Sequence, residues 1–193
     1  MKMKNRILNI LQESTTHQGT YYHGTRSIFP FQKFDKRMIG TGLVSNHTSY
    51  DGFFFTSDYE AAEFFTEWFI CEVEIGNIYP NPLDTKNPSS VLHQGLLDGK
   101  TYGIDGYQDG NIFSDEIVVV PYTLLDDISI IRWMIADNED VKEDLFEQYD
   151  KFFFEEEDYR DRDRIEEMLG MIEIDLDYLL SIPVFKEYWD LAE

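Results

Sequence analysis

Apolar residues recur along this chain with two periods, and the change of period divides it into a β-rich part and a helical part. Residues 6–13 (RILNILQE) set Ile7, Leu8, Ile10 and Leu11 near one helical face, which predicts a short amphipathic helix before the polar run at 14–16. Short β-prone segments follow. Thr20–His23 (TYYH) is a strand candidate ending on Gly24, and Phe53–Phe55, after Asp51 and Gly52, is a second. A loop carrying Gly40 and Gly42 lies between them. Ser57-Asp58 offers an N-cap for a helix over Tyr59–Phe69, and Ile70–Ile75 (ICEVEI) alternates as a third strand that is expected to stop at Gly76.

Pro80 and Pro82 break the chain, and Ser89–Leu97 is expected to form a short helix with a serine cap. Gly103, Gly106 and Gly110 mark a turn-rich stretch. Ile117–Val120 (IVVV) is the strongest strand, and Ile128–Trp133 is the last. Irregular mixing of strands and helices argues for an α+β fold over a doubly wound one. From Asp137 the composition turns acidic, while Ile165, Met168, Leu169, Ile172, Leu176, Leu179 and Leu180 keep helical spacing. Two or three amphipathic helices are therefore expected there, packing their apolar stripes on the β-rich part. The expected division is a domain over 1–136 and an acidic helical appendage over 137–193.

Charge and composition narrow the function classes. The net charge of -22 disfavours direct binding to a nucleic-acid backbone, because cationic side chains supply most of that affinity. Such a charge suits a partner with a basic surface, or simple solubility. Fifteen Phe, twelve Tyr and three Trp are more than a disordered acidic chain carries, so the protein is expected to fold and bury rings. The single Cys71 excludes a disulfide framework. No apolar run is long enough to span a bilayer, and the first residues lack the features of a signal peptide, so a soluble cytoplasmic protein is expected. His17, His23, His47 and His93 show no paired ligand spacing, and neither a phosphate-loop motif nor a GxSxG elbow is present. No metal is expected.

Three short motifs remain: YHGT at 22–25, GFFFTSD at 52–58 with Ala61-Ala62 and Phe64-Phe65 following, and SDEIVVV at 114–120. In order and spacing they resemble the ADP-ribosyltransferase family of the diphtheria-toxin and poly(ADP-ribose) polymerase type, which carries a His, Tyr, Glu triplet on three strands. The resemblance covers roughly residues 19–134, and TYGIDGYQDGNIFSDEIVVVPYTLLDDISII is also similar to the close of related prokaryotic and phage transferases. It implies an ADP-ribosyltransferase-like split β-sheet core and NAD as substrate.

Carried over residue by residue, the resemblance implies that His23 bonds a ribose hydroxyl of NAD and that Gly24 presents its backbone to the nicotinamide amide, with Thr25 a secondary contact. Phe54 falls where the family has the stacking tyrosine. The phenyl ring keeps the stacking face and lacks the hydroxyl. Phe65, with Ala62 on the same helix face, matches the second aromatic that sandwiches nicotinamide. Glu116 matches the glutamate that stabilises the oxocarbenium-like charge as nicotinamide leaves, chemistry for which a fixed carboxylate is suited. Strand alternation turns only one of Asp115 and Glu116 toward His23, and Glu116 is the choice. The expected activity is NAD-dependent ADP-ribosyl transfer to a protein acceptor, in the manner of a phage or bacterial factor acting on a host protein. NAD glycohydrolysis is the variant with water as acceptor. The competing class is an inactive acidic protein that blocks a nucleic-acid-binding site of its partner.

Overall fold

Val118, Val119 and Val120 are all fully buried, which requires cover on both faces of their strand. A computed structural model, which describes residues 16–38, 51–136, 139–154 and 162–191, shows what supplies it. The strands are β1 (His17–Thr25), β2 (Gly52–Thr56), β3 (Phe69–Pro80), β4 (Thr101–Asp109), β5 (Ile112–Pro121) and β6 (Ile128–Ile135). Helices α1 (Tyr59–Phe64) and α2 (Pro88–Asp98) interrupt the strands, and α3 (Glu139–Phe154), α4 (Arg162–Met171), α5 (Leu176–Leu180) and α6 (Pro183–Leu191) follow them. The class is α+β: a mixed five-stranded barrel with C-terminal helices.

The ring runs β1-β2-β5-β4-β3 and returns to β1, while β6 pairs outside it with β3. Two seams are thin. β1 meets β2 at the single pair Tyr22↔Thr56, and β3 meets β4 in parallel only over Ile78–Pro80 and Thr101–Gly103. Along β5 the alternation then explains the buried run. Val118 and Val120 belong to the large core cluster, whereas Ile117 and Val119 meet Val91 and Leu92 of α2 on the other face.

The large cluster continues out of the barrel into the C-terminal helices. Leu145, Tyr149 and Phe153 recur every fourth residue on α3 and are buried with Ile165, Leu169, Leu176, Leu179, Phe185 and Tyr188. Phe29, from the segment after β1, stacks on Tyr149 at 5.3 Å between centroids. Polar bonds fix the same junction: Trp133 Nε1 donates to Tyr178 Oη at 2.9 Å, and that hydroxyl donates to the Phe31 carbonyl at 2.9 Å.

Several elements differ from the sequence expectation. The helix after Asp58 ends at Phe64, with Phe65 as its C-cap, because Thr66 Oγ1 bonds the carbonyls of Thr25 and Phe69 and turns the chain into β3. β3 does not stop at Gly76; Asn77 takes a positive φ of 54° and the strand runs on to Pro80. Gly103 and Gly106 lie inside β4 rather than in a turn. The cap of α2 is Asn87, whose side chain accepts from Ser90 N, with Pro88 at the first turn. The acidic region forms four helices among the described residues, and Pro183 starts the last because the residue before a proline disfavours helix. Within the leucine stripe, Ile172 is exposed while Leu169, Leu176 and Leu179 are buried. The helix expected over 6–13 and the glycine loop around Gly40 and Gly42 lie outside the described residues.

A shared core predicts shared unfolding. Leu145→Ala removes a fully buried side chain of α3 and should cost about 2–5 kcal/mol. Monitored by tryptophan fluorescence and far-UV circular dichroism, urea unfolding should show one transition displaced to lower urea in both signals. Separate helical and barrel transitions would show that the two parts do not share a core.

Candidate functional site

The single pair between β1 and β2 leaves their outer ends apart, and His23 lies in that opening. Its Nδ1 is 2.8 Å from the Phe54 carbonyl, which can only accept, so the imidazole carries its proton on Nδ1 and leaves Nε2 as the acceptor. Phe34 and Phe53 meet the ring edge-on and Phe55 meets it tilted, all between 5.3 and 5.7 Å. Burial among them lowers the His23 pKa below the usual 6.5, against the opposing hydrogen bond to Phe54. At neutral pH the ring is neutral.

Around this opening is a cavity of about 920 Å³, lined by Tyr22–Ser27 of β1 and its extension, Gly52–Thr56 of β2, Ala62, Phe64 and Phe65 at α1, and Tyr107 and Asp109–Ile112 around the β4–β5 turn. Arg26, Asp35, Arg37 and Glu173 also face it. His23, Gly24, Thr25, Phe54, Ala62 and Phe65, the residues the sequence singled out for NAD, all line this one cavity.

Their local roles differ. A Cβ on Gly24 would collide with the Ala62 carbonyl, so this glycine permits β1 to touch the α1 backbone. Thr25 has its hydroxyl occupied by Ser27 N at 3.1 Å and its carbonyl by Thr66 Oγ1 at 2.9 Å. Phe54 packs against the α2 side of the sheet with Val91, Leu92 and Val119, the face opposite to Phe53 and Phe55. Phe65 sits at the helix C-cap rather than on the helix, edge-on to Phe64.

Glu116 does not line the cavity, although its neighbour Ile117 does. It turns to the barrel-interior face that Val118 and Val120 share, while Asp115 is exposed. Its backbone is held by two serines: Ser57 N donates to the Glu116 carbonyl at 3.0 Å, Glu116 N donates to Ser57 Oγ at 3.0 Å, and Ser114 Oγ donates to the same carbonyl at 2.7 Å. The carboxylate accepts from Tyr21 Oη at 2.6 Å and lies 3.0 Å from His17 Nε2. Burial first, then the bond to Glu116, raises the Tyr21 pKa above its usual value, so the phenol stays a donor. A Cβ on Gly103 would strike Glu116 Oε1.

Tyr21, His17 and Gly103 were not identified from the sequence. One signal was available for Tyr21: two residues before His23 on a strand, it shares the histidine's face. His17 and Gly103 come from pairing across strands, which no local pattern reports. Among the described residues no group of three His, Cys, Asp or Glu side chains could hold a metal ion, and no helix is long and apolar enough to cross a membrane. Comparison with protein-family models, with curated proteins and with solved structures finds no match for this chain.

Two predictions follow from this geometry. Because the folded pKa of His23 is lowered, the unfolded chain takes up a proton below about pH 6.5 that the folded chain refuses, so stability falls as pH drops through 6.5. Urea unfolding at pH 7 and pH 5.5 should show a larger loss for the parent than for His23→Gln; equal losses would mean the imidazole is not held neutral. Second, Gly103→Ala should cost about 1–3 kcal/mol by crowding the Glu116 carboxylate, and much less when Glu116 is also Ala. Equal costs in both backgrounds would place the clash elsewhere.

Proposed function

We propose that this protein is an NAD-dependent ADP-ribosyltransferase, with NAD bound in the cavity between β1, β2 and α1. The observation that carries the reading is the convergence of His23, Gly24, Thr25, Phe54, Ala62 and Phe65, picked out by motif from two separate segments, on one cavity. Its volume of about 920 Å³ falls at the upper end of small-molecule sites, as an extended dinucleotide requires. The barrel, parted along β1–β2 and joined only briefly along β3–β4, is consistent with the split-sheet core of that family.

Each residue then has a task. The Nε2 of His23 accepts from a ribose hydroxyl, and the rings of Phe54 and Phe65 supply apolar walls for nicotinamide. Among the described residues Arg26 is the cavity-lining cation available to a diphosphate, since Arg37 is already paired with Asp35 and Glu173, which line the same cavity. In the reaction the glycosidic C–N bond breaks, its electron pair leaves with neutral nicotinamide, and the ribose carbon becomes cation-like. The Glu116 carboxylate opposes that charge when the ribose passes Ile117 to reach the interior face that Glu116 shares with Val118. An acceptor nucleophile bonds to the ribose carbon and loses its proton. The acidic surface favours a protein acceptor with a basic surface, in keeping with a phage or bacterial factor acting on a host protein, and water in that role makes the protein an NAD glycohydrolase.

A second reading has its own observation. Glu116 stands outside the cavity lining and its carboxylate is engaged by Tyr21 and His17, which favours a protein that binds its partner, or a nucleotide, without cleavage. Nicotinamide release from NAD, with and without a cell lysate containing acceptors, separates the two. The expected outcome is release by the parent and a loss on the order of 10² or more in Glu116→Gln, with NAD affinity unchanged. Binding of NAD without release would support the inactive binder, and neither binding nor release would reject the assignment of the cavity.

A further inference from the structure

We propose that Tyr21 is the positioning residue for the Glu116 carboxylate, an inference that rests on the transferase reading and names the group that aims its charge. The Tyr21 hydroxyl donates to Glu116 Oε2 at 2.6 Å, in the range of a charge-assisted bond. The donor is itself fixed. Tyr21 as a residue is only 3% exposed, and Gly19 lies so close that a Cβ there would stand 3.0 Å from Tyr21 Cε2. On the other side, Glu116 Oε1 lies over Gly103, where any side chain would displace it. The carboxylate is thus confined between a buried phenol and a bare backbone.

His17 reaches the same carboxylate at 3.0 and 3.2 Å, but its side chain is 49% exposed against 15% for Glu116, so it caps the carboxylate from the solvent side. A fixed charge assists bond cleavage only if it does not have to reorient as the cation forms. Tyr21 supplies that constraint and keeps its proton throughout. The bond that breaks is the glycosidic bond, its electron pair leaves with nicotinamide, and neither Tyr21 nor Glu116 gains or loses a proton.

The test is a double-mutant cycle on nicotinamide release from NAD by the full chain. Tyr21→Phe removes one oxygen and should lower kcat on the order of 10-fold, a loss confined to the transition state, while KM for NAD stays within about twofold. Tyr21→Phe/Glu116→Gln should turn over at the rate of Glu116→Gln alone, because the phenol acts only through the carboxylate. An unchanged kcat in Tyr21→Phe, a rise in KM alone, or losses that multiply in the double variant would each overturn the proposal. If Tyr21→Phe fails to fold, Gly103→Ala moves the same carboxylate from the opposite side, and an unchanged kcat there overturns the proposal as well. No release by the parent, or a Glu116→Gln variant as fast as the parent, rejects the transferase reading itself and takes this proposal with it. Normal behaviour of those two with a fully active Tyr21→Phe rejects the proposal alone.

Discussion

The organisation of the molecule depends on how little β1 and β2 share. A closed barrel normally satisfies the backbone of every strand on both edges, yet these two strands meet at the single pair Tyr22↔Thr56. Beyond that pair a side chain takes over: the imidazole of His23 bonds the Phe54 carbonyl that a neighbouring backbone amide would otherwise serve. Replacing a ladder bond with a side chain holds the strands apart without leaving a buried acceptor unpaired. The cavity is the space so created. Strand length elsewhere compensates, since β3 pairs with β1 on one edge and with β6 and then β4 on the other.

The acidic helices bear on the same arrangement. Their outward charge suggests an appendage, but their buried stripe completes the core that begins inside the barrel. Phe29 and Phe31, which follow the β1 motif directly, are held by Tyr149, Trp133 and Tyr178. Arg37 pairs with both Asp35 and Glu173, so the cavity wall after β1 is tied to the end of α4. Any change in α3–α6 packing therefore reaches the cavity through residues 26–38, whatever the acidic surface does for partner choice.

How much of this was legible in the sequence depends on the range of the interaction that decides each element. Strands β1, β2, β5 and β6 were found because β-branched and aromatic runs report burial locally. β4 was missed because its glycines read as turns, whereas Gly103 is a glycine owing to a glutamate on the adjacent strand. The length of α1 was overestimated because Phe65–Trp68 has helical composition, and what ends the helix is a pair of bonds from Thr66 to carbonyls of β1 and β3. Site residues followed the same rule. His23, Gly24 and Phe54 stood in contiguous motifs, while the Tyr21–Glu116 bond joins residues 95 positions apart and exists only through the barrel's closure.

Glu116 is the point where local pattern and position disagree most. Its face of β5 continues into Val118 and Val120, and apolar residues at both 116 and 21 would pack there without any polar group to satisfy, whereas an apolar residue at 116 alone would deprive the Tyr21 hydroxyl of its acceptor. A carboxylate confined to this place loses hydration and side-chain freedom, and the protein supplies a phenol, an imidazole and a side-chain-free strand position around it. Replacing such a cluster whole by apolar residues of similar volume is often neutral or stabilising, although removing one member alone is costly, so stability alone does not account for keeping an acid here. Departures of this kind, where several strands adjust to keep one unfavourable group, are expected at sites of function. That argument rests on the strand pattern and the bonds around Glu116, and it holds independently of which ligand fills the cavity beside it.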